Sequence, residues 1–287
     1  MKLATAVIEG KEIAGIINDE QFYALETFKE QAEGLPTDLN ALIEQYSKWE
    51  SAISELDLRD TEGIAVDLLT FAPPIRPNKN IFCIGKNYAD HAREFGGAPP
   101  EDMIVFTKAP TTMIGHEHPI PLHEGVTNEL DYEGELAVVI GKKGKEISRG
   151  EADQYIFGYT ILNDVTARDL QARHKQYFLG KSLDGTCPIG PWIVTKDEVG
   201  DAGDLEIETK VNGEVRQHAR TSLFLFPIDE IIATLSKGMT LEPGDIIATG
   251  TPAGVGKGFN PPRYLKNGDV IEIRVESIGT LVNKVQL

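Results

Sequence analysis

Residues 130–142 read Leu-Asp-Tyr-Glu-Gly-Glu-Leu-Ala-Val-Val-Ile-Gly-Lys. Leu136 to Ile140 is apolar at every position, which predicts a strand covered on both faces. Its mouth is acidic. Glu133 and Glu135 are two residues apart and so point to the same side of the strand. Two carboxylates there repel each other and lose hydration, and a cation between them removes both costs. Asp164 obeys the same logic, because it ends the apolar run FGYTILN at 157–163. Three carboxylates with no neighbouring His or Cys suit a hard cation, Mg²⁺ or Mn²⁺, rather than zinc. The competing reading makes them exposed strand-end acids paired with Arg168 or Lys181.

Working outward, strands dominate from Ile81 on: IFCIG, ELAVVIG, FGYTILND, PWIVT, LEIETKVNG, DIIATG and VIEIRVESIG. Helical spacing is confined to 88–95, 151–155 and 227–237. This pattern predicts an α+β, β-dominated domain of twisted sheets packed on each other, with few helices. Upstream, KLATAVI, EIAGIIN and QFYALE read as short strands, and Leu39 to Ile53 carries apolar residues at helical spacing behind Thr37 or Asp38 as N-cap. The segment FAPPIRPNKN at 71–80 places three prolines in five residues, which neither a helix nor a central strand accommodates. The expected division is a small α/β accessory domain at 1–71 and a catalytic domain at 72–287.

His91 and Glu94 are three residues apart on the predicted helix after IFCIG, so they can touch. A His–Glu pair beside a metal-bound water forms a general base. An incidental pair on an exposed helix is the alternative. The glycines that follow suit hinges, and a lid is expected over about 88–103. His116 and His118 lack the four-residue spacing of a helical zinc site and read as structural or surface residues. The stretch 245–258 is a strand running into a glycine-rich loop. Gly250 to Gly256-Lys257 is one residue too long for a P-loop, and Phe259 breaks a dinucleotide fingerprint. Its amides and the Thr251 hydroxyl can hold a carboxylate. Lys181, set between apolar and glycine-rich sequence, can neutralise an oxyanion or lie at the surface.

The chain has 287 residues, 41% hydrophobic and 25% charged, with a formal net charge of −17. That balance opposes nucleic acid and anionic membranes, and no basic patch offsets it. No apolar run approaches a membrane span, and Glu9 and Lys11 interrupt what a signal peptide would need. Cys83 and Cys187 form no metal or redox spacing and read as reduced core thiols, so a cytoplasmic protein is expected.

Together GKNYADHAREF, LDYEGELAVVIGK, YTILNDVTARDLQ, GKSLDGTCPIGP and GDIIATGTPAGVG resemble, in order and approximate spacing, the fumarylacetoacetate hydrolase (FAH) family over about residues 72–287. The N-terminal segment is similar to that of bacterial two-domain members. The resemblance implies a mixed β-roll, sandwich-like catalytic domain that commonly forms homodimers. It further implies Glu133, Glu135 and Asp164 as ligands of Mg²⁺ or Mn²⁺, and His91 and Glu94 as a catalytic dyad on a lid. Lys181 would contact the substrate oxygens, Arg168 and Gln171 would line the site, and Thr251 would belong to the carboxylate-holding loop. The implied substrate is a small 2-oxo or 2,4-dioxo acid, cleaved between C3 and C4 through a metal-stabilised pyruvate enolate. Oxaloacetate decarboxylation is the first expectation and acylpyruvate hydrolysis the second. Isomerisation or hydration of 2-hydroxy-dienedioates follows, and a non-catalytic binding protein is the reading from another class.

Overall fold

The structure, a computed structural model, describes residues 1–59, 61–94 and 96–287. Its main sheet runs in the order Ile64–Ala65, Gln21–Ala24, Lys11–Asn18, Lys2–Ile8, Cys187–Thr195, Ile156–Asn163, Gly134–Ile140, Ile246–Ala248, Ile81–Gly85 and Ile104–Lys108. Neighbours are antiparallel except where Ile247 pairs with Phe82 in the parallel sense. A second sheet stacks Glu214–Arg220, Glu206–Val211, Val270–Val275, Gly279–Gln286 and Ile120–Pro121. The protein is thus an α+β chain of packed sheets with few helices.

Period two explains why the central strands read as continuously apolar. Leu136, Val138 and Ile140 bury one face against the second sheet, through Ile207, Ile271, Ile273 and Leu281. Ala137 and Val139, on the other face, belong to the core that contains Leu39, Leu42, Ile43, Trp49 and Ile53 from the N-terminal helices. Both faces are therefore dry, and a strand with polar alternation would fail there.

The N-terminal strands continue this sheet, with Leu3 opposite Ile193 across the junction. The helical stretch after them is two helices, Leu39–Glu44 and Tyr46–Ser54, not one. Asp38 caps the first by accepting from Ala41 N–H at 2.9 Å. Between the helices Gln45 leaves helical geometry at φ −109°, ψ 13°. Beyond the turn, Trp49 and Ile53 of the second helix are buried in the core.

Register then places the acids. Gly134 pairs with Asn163, so Glu133 and Asp164 face each other just beyond the ends of adjacent strands. Asp164 N–H donates to the Glu133 carbonyl at 2.8 Å, which locks the two ends together. No helix among the described residues is long and apolar enough to cross a membrane.

Candidate metal centre and active site

Glu133, Glu135 and Asp164 are all buried, and one oxygen from each lies within 4.8 Å of the others. Lys181 bridges two of them, with Nζ 2.7 Å from Glu133 Oε2 and 2.6 Å from Asp164 Oδ2. Arg168 reaches Glu133 Oε1 at 2.7 Å and, through Nε, Asp131 Oδ2 at 2.8 Å. Lys108 Nζ lies 2.9 Å from Asp164 Oδ1 and donates to the Val165 carbonyl at 3.0 Å.

Four buried acids (Asp131, Glu133, Glu135, Asp164) thus meet three buried cations (Lys108, Arg168, Lys181), leaving one carboxyl without a cation. That carboxyl is Glu135, whose Oε2 accepts the Gly250 N–H at 2.7 Å. Burial first, then repulsion from Asp164 and Glu133, pushes the Glu135 carboxyl well above the ordinary carboxylate range. Burial acts the same way on Glu133, but Lys181 and Arg168 outweigh it and hold that carboxyl below the ordinary range. Lys181 is held above the usual lysine value, because Asp164 and Glu133 overcome the burial that opposes its charge.

These residues fit a hard divalent cation. The donor set is all oxygen, as Mg²⁺ and Mn²⁺ prefer. One carboxyl of the set, Glu135, has no cation of the described residues paired with it. Asp164 Oδ1, near Lys108 but receiving no well-directed hydrogen bond, has an acceptor position to offer.

The glycine-rich loop is held to the same strand ends. Gly250 takes φ +101°, and a Cβ there would stand 2.7 Å from Asn87 Cβ, so only glycine presents its N–H to Glu135. Asp131 accepts from Gly256 N–H at 2.6 Å and Lys257 N–H at 3.0 Å. Thr251 Oγ1 donates to the Gly134 carbonyl at 3.0 Å and accepts from Gln217 Nε2 at 2.7 Å. Thr251 therefore fastens the loop to the acidic strand while also lining the cavity.

His91 and Glu94 sit on the short helix Ala89–Glu94, with His91 Nδ1 3.1 Å from Glu94 Oε2. The other oxygen of Glu94 accepts the Gly254 N–H at 2.9 Å. A carboxylate on Nδ1 sets the tautomer, so proton transfer falls to Nε2. His91 lines the cavity and Glu94 stands behind it. The expected lid falls on this helix and the loop at 96–103; Phe95, inside it, lies outside the described residues.

One cavity of about 210 Å³ collects His91, Glu133, Glu135, Arg168, Gln171, Lys181 and Thr251. Ile84, Ile104, Phe106 and Tyr177 form its apolar wall. This volume is below the roughly 300 Å³ at which sites for drug-sized ligands begin, so the cavity suits a small acid. Larger clefts of about 950 and 1010 Å³ lie elsewhere on the surface and contain none of these residues. His116 lies on one of them, with its Nδ1 accepting the Val282 N–H at 3.1 Å. Cys83 and Cys187 are buried and unpaired.

Asp131, Lys108 and Gln217 were not singled out from the sequence as site residues. Asp131 shares the parity of Glu133 and Glu135 but belongs to the separate short strand Leu130–Asp131, farther from the apolar run. Lys108 resembles a solvated strand end. Gln217 lies in the polar strand EVRQHAR, where nothing distinguishes a buried glutamine from an exposed one.

Residues 80–286 match the family described as Fumarylacetoacetate (FAA) hydrolase C-terminal. Over 99% of its length the chain is 48% identical to an oxaloacetate tautomerase, YisK, of Bacillus subtilis strain 168, all of which is covered. A fumarylacetoacetate hydrolase from Exiguobacterium antarcticum superposes with a TM-score of 0.88 at 43% identity, covering 100% of this chain and 99% of that one. A maleylpyruvate hydrolase from Sphingobium sp. SYK-6, solved with manganese(II) and pyruvate, gives 0.82 at 29% identity over 100% and 99%. The chain is an enzyme and belongs to the fumarylacetoacetate hydrolase family.

Proposed function

We propose that the protein interconverts the enol and keto forms of oxaloacetate, using a divalent metal held by Glu133, Glu135 and Asp164. The observation that carries this reading is the single small cavity in which those acids meet Lys181 and the His91–Glu94 pair. The similarity to an oxaloacetate tautomerase supports the choice of substrate. When bound, Mg²⁺ or Mn²⁺ supplies Lewis-acid polarisation of the substrate's C2 oxygen.

The chain's own residues do the rest. His91 Nε2 takes the proton from C3, the C3–H electron pair becomes the C2–C3 double bond, and negative charge gathers on the C2 oxygen. Lys181 stabilises that oxygen and supplies its proton. Ketonisation is the reverse. Glu94 orients the ring and stabilises its protonated form, and its own position is fixed by Gly254 N–H. Arg168, already committed to Asp131 and Glu133, keeps Glu133 ionised. Gln171, tied to Arg168 Nη1 at 3.1 Å, and Thr251 shape the wall. None of residues 1–71 that are described lines the cavity, and in this proposal they act as an accessory layer covering the sheet.

Cleavage between C3 and C4 is the second reading, and the maleylpyruvate hydrolase held with manganese(II) and pyruvate favours it. Decarboxylation, first among the sequence expectations, breaks the same C3–C4 bond and leaves the enolate of pyruvate. One experiment separates the readings. Metal-loaded protein is mixed with oxaloacetate and with acetylpyruvate, and loss of enol absorbance and release of pyruvate are followed against metal-only controls. The proposal expects accelerated enol loss from oxaloacetate, with pyruvate no faster than in the control. Stoichiometric pyruvate from oxaloacetate makes it a decarboxylase, and pyruvate from acetylpyruvate a hydrolase.

A further inference from the structure

The buried cations of the site are already committed: Lys181 to Glu133 and Asp164, Arg168 to Asp131 and Glu133, Lys108 to Asp164. Two more cations line the same cavity, Lys86 and Lys257. Neither is paired with a carboxylate among the described residues. Both are held at the cavity by their backbones. Lys86 takes a left-handed φ of +54° at the end of the strand Ile81–Gly85, which turns the chain beneath the His91 helix. Its Nζ lies 3.7 Å from where a Cβ on Gly97 would stand, under the segment following that helix. Lys257 is fixed by its own N–H, which Asp131 accepts.

We propose that Lys86 and Lys257 form the subsite for the second carboxylate of a dicarboxylic substrate and select 2-oxo diacids over 2-oxo monoacids. The inference rests on the oxaloacetate reading above and goes further. A carboxylate at C4 is repelled by the acidic end of the cavity, and Ile84, Ile104 and Phe106 offer it no donor. Lys86 and Lys257 meet it with positive charge that no carboxylate of the described residues already holds. They also bear on the outcome of the reaction. Decarboxylation breaks C3–C4, passes that electron pair towards the C2 oxygen and releases neutral CO₂. An ammonium ion paired with the C4 carboxylate stabilises the charged ground state and loses its partner as CO₂ forms, so it opposes this step. The lysines thereby favour proton transfer at C3 over cleavage.

Lys86→Met, Lys257→Met and Lys257→Arg, all metal-loaded, test this. Each Met variant should raise KM for oxaloacetate about tenfold, as loss of a charge-assisted hydrogen bond does, while the inhibition constant of pyruvate moves less than about twofold. Pyruvate released per enol consumed should rise in the same variants, and Lys257→Arg should restore both values. An unchanged oxaloacetate KM, or equal weakening of both ligands, would overturn the proposal. If the wild-type enzyme turns over no oxaloacetate, the functional reading fails, and the lysines are judged from ligand-induced rises in Tm. A larger rise with oxaloacetate than with pyruvate, lost in Lys257→Met, supports them; equal rises in the wild type refute them.

Discussion

Replacing Glu135 with Gln is expected to stabilise the metal-free protein and to inactivate the enzyme. Glu135 is the buried carboxyl that no cation balances, and its pKa is pushed upward by burial and by Asp164 and Glu133. A pKa raised in the fold means that the ionised form is the disfavoured one. The resulting penalty is absent below the unfolded value, grows as pH rises from there towards the folded one, and is complete above it. Gln removes the charge and keeps the shape, so metal-free Glu135→Gln should melt about 2–4 °C higher than wild type, with the largest gain in alkaline buffer. The rise in Tm on adding Mn²⁺ should disappear. Turnover should fall more than about 100-fold, the upper range for losing even an outer partner of a metal ligand. Melting curves with and without Mn²⁺, run beside the assay, check all three. A Glu135→Gln protein that is less stable without metal would show that Glu135 is paired by the fold rather than by an ion.

His91→Asn should separate chemistry from assembly. The imidazole lines the cavity and is not one of the three clustered acids, so its removal keeps every carboxylate of the set. Loss of a positioned general base costs about 10²–10⁴ in rate. The expected result is a kcat reduced in that range with the Mn²⁺-induced rise in Tm preserved. Glu94→Gln should cost less, because it acts through the ring. Measuring kcat, KM and Tm on one preparation distinguishes this from a structural role, which would lower kcat and the metal response together.

Much of this site is legible in the chain because strand periodicity is a local rule. Glu133 and Glu135 fall on one side by parity alone, and Asp164 ends a run whose apolarity already says it is buried. The His91–Glu94 pairing likewise follows from helical spacing. What is hidden depends on register between distant strands. Lys108 reaches Asp164 only because Ile81–Gly85 lies between it and the rest of the sheet, carrying Lys108 opposite Ile81. Gln217 is buried because Glu206–Val211 pairs with Glu214–Arg220 across a bulge at Thr209 and Lys210. A sequence so polar carries no signal of burial.

The same limit governs the fold. The strands Ile104–Lys108, Glu214–Arg220 and Gly279–Gln286 were not among the elements predicted, since the last two face solvent on one side and mix charges with apolar residues. Leu39 to Ile53 shows helical spacing throughout, and only packing onto the sheet decides that it bends at Gln45. The FAH motifs supplied what periodicity could not, by tying acids, dyad and glycine loop into one constellation.

The most direct test is removal and return of the metal. Protein stripped with a chelator and dialysed is assayed for oxaloacetate enol consumption, then titrated with Mn²⁺. The account predicts activity at the background rate after stripping and recovery that saturates at one equivalent per chain, with none in Glu135→Gln. Full activity in the stripped protein would contradict it.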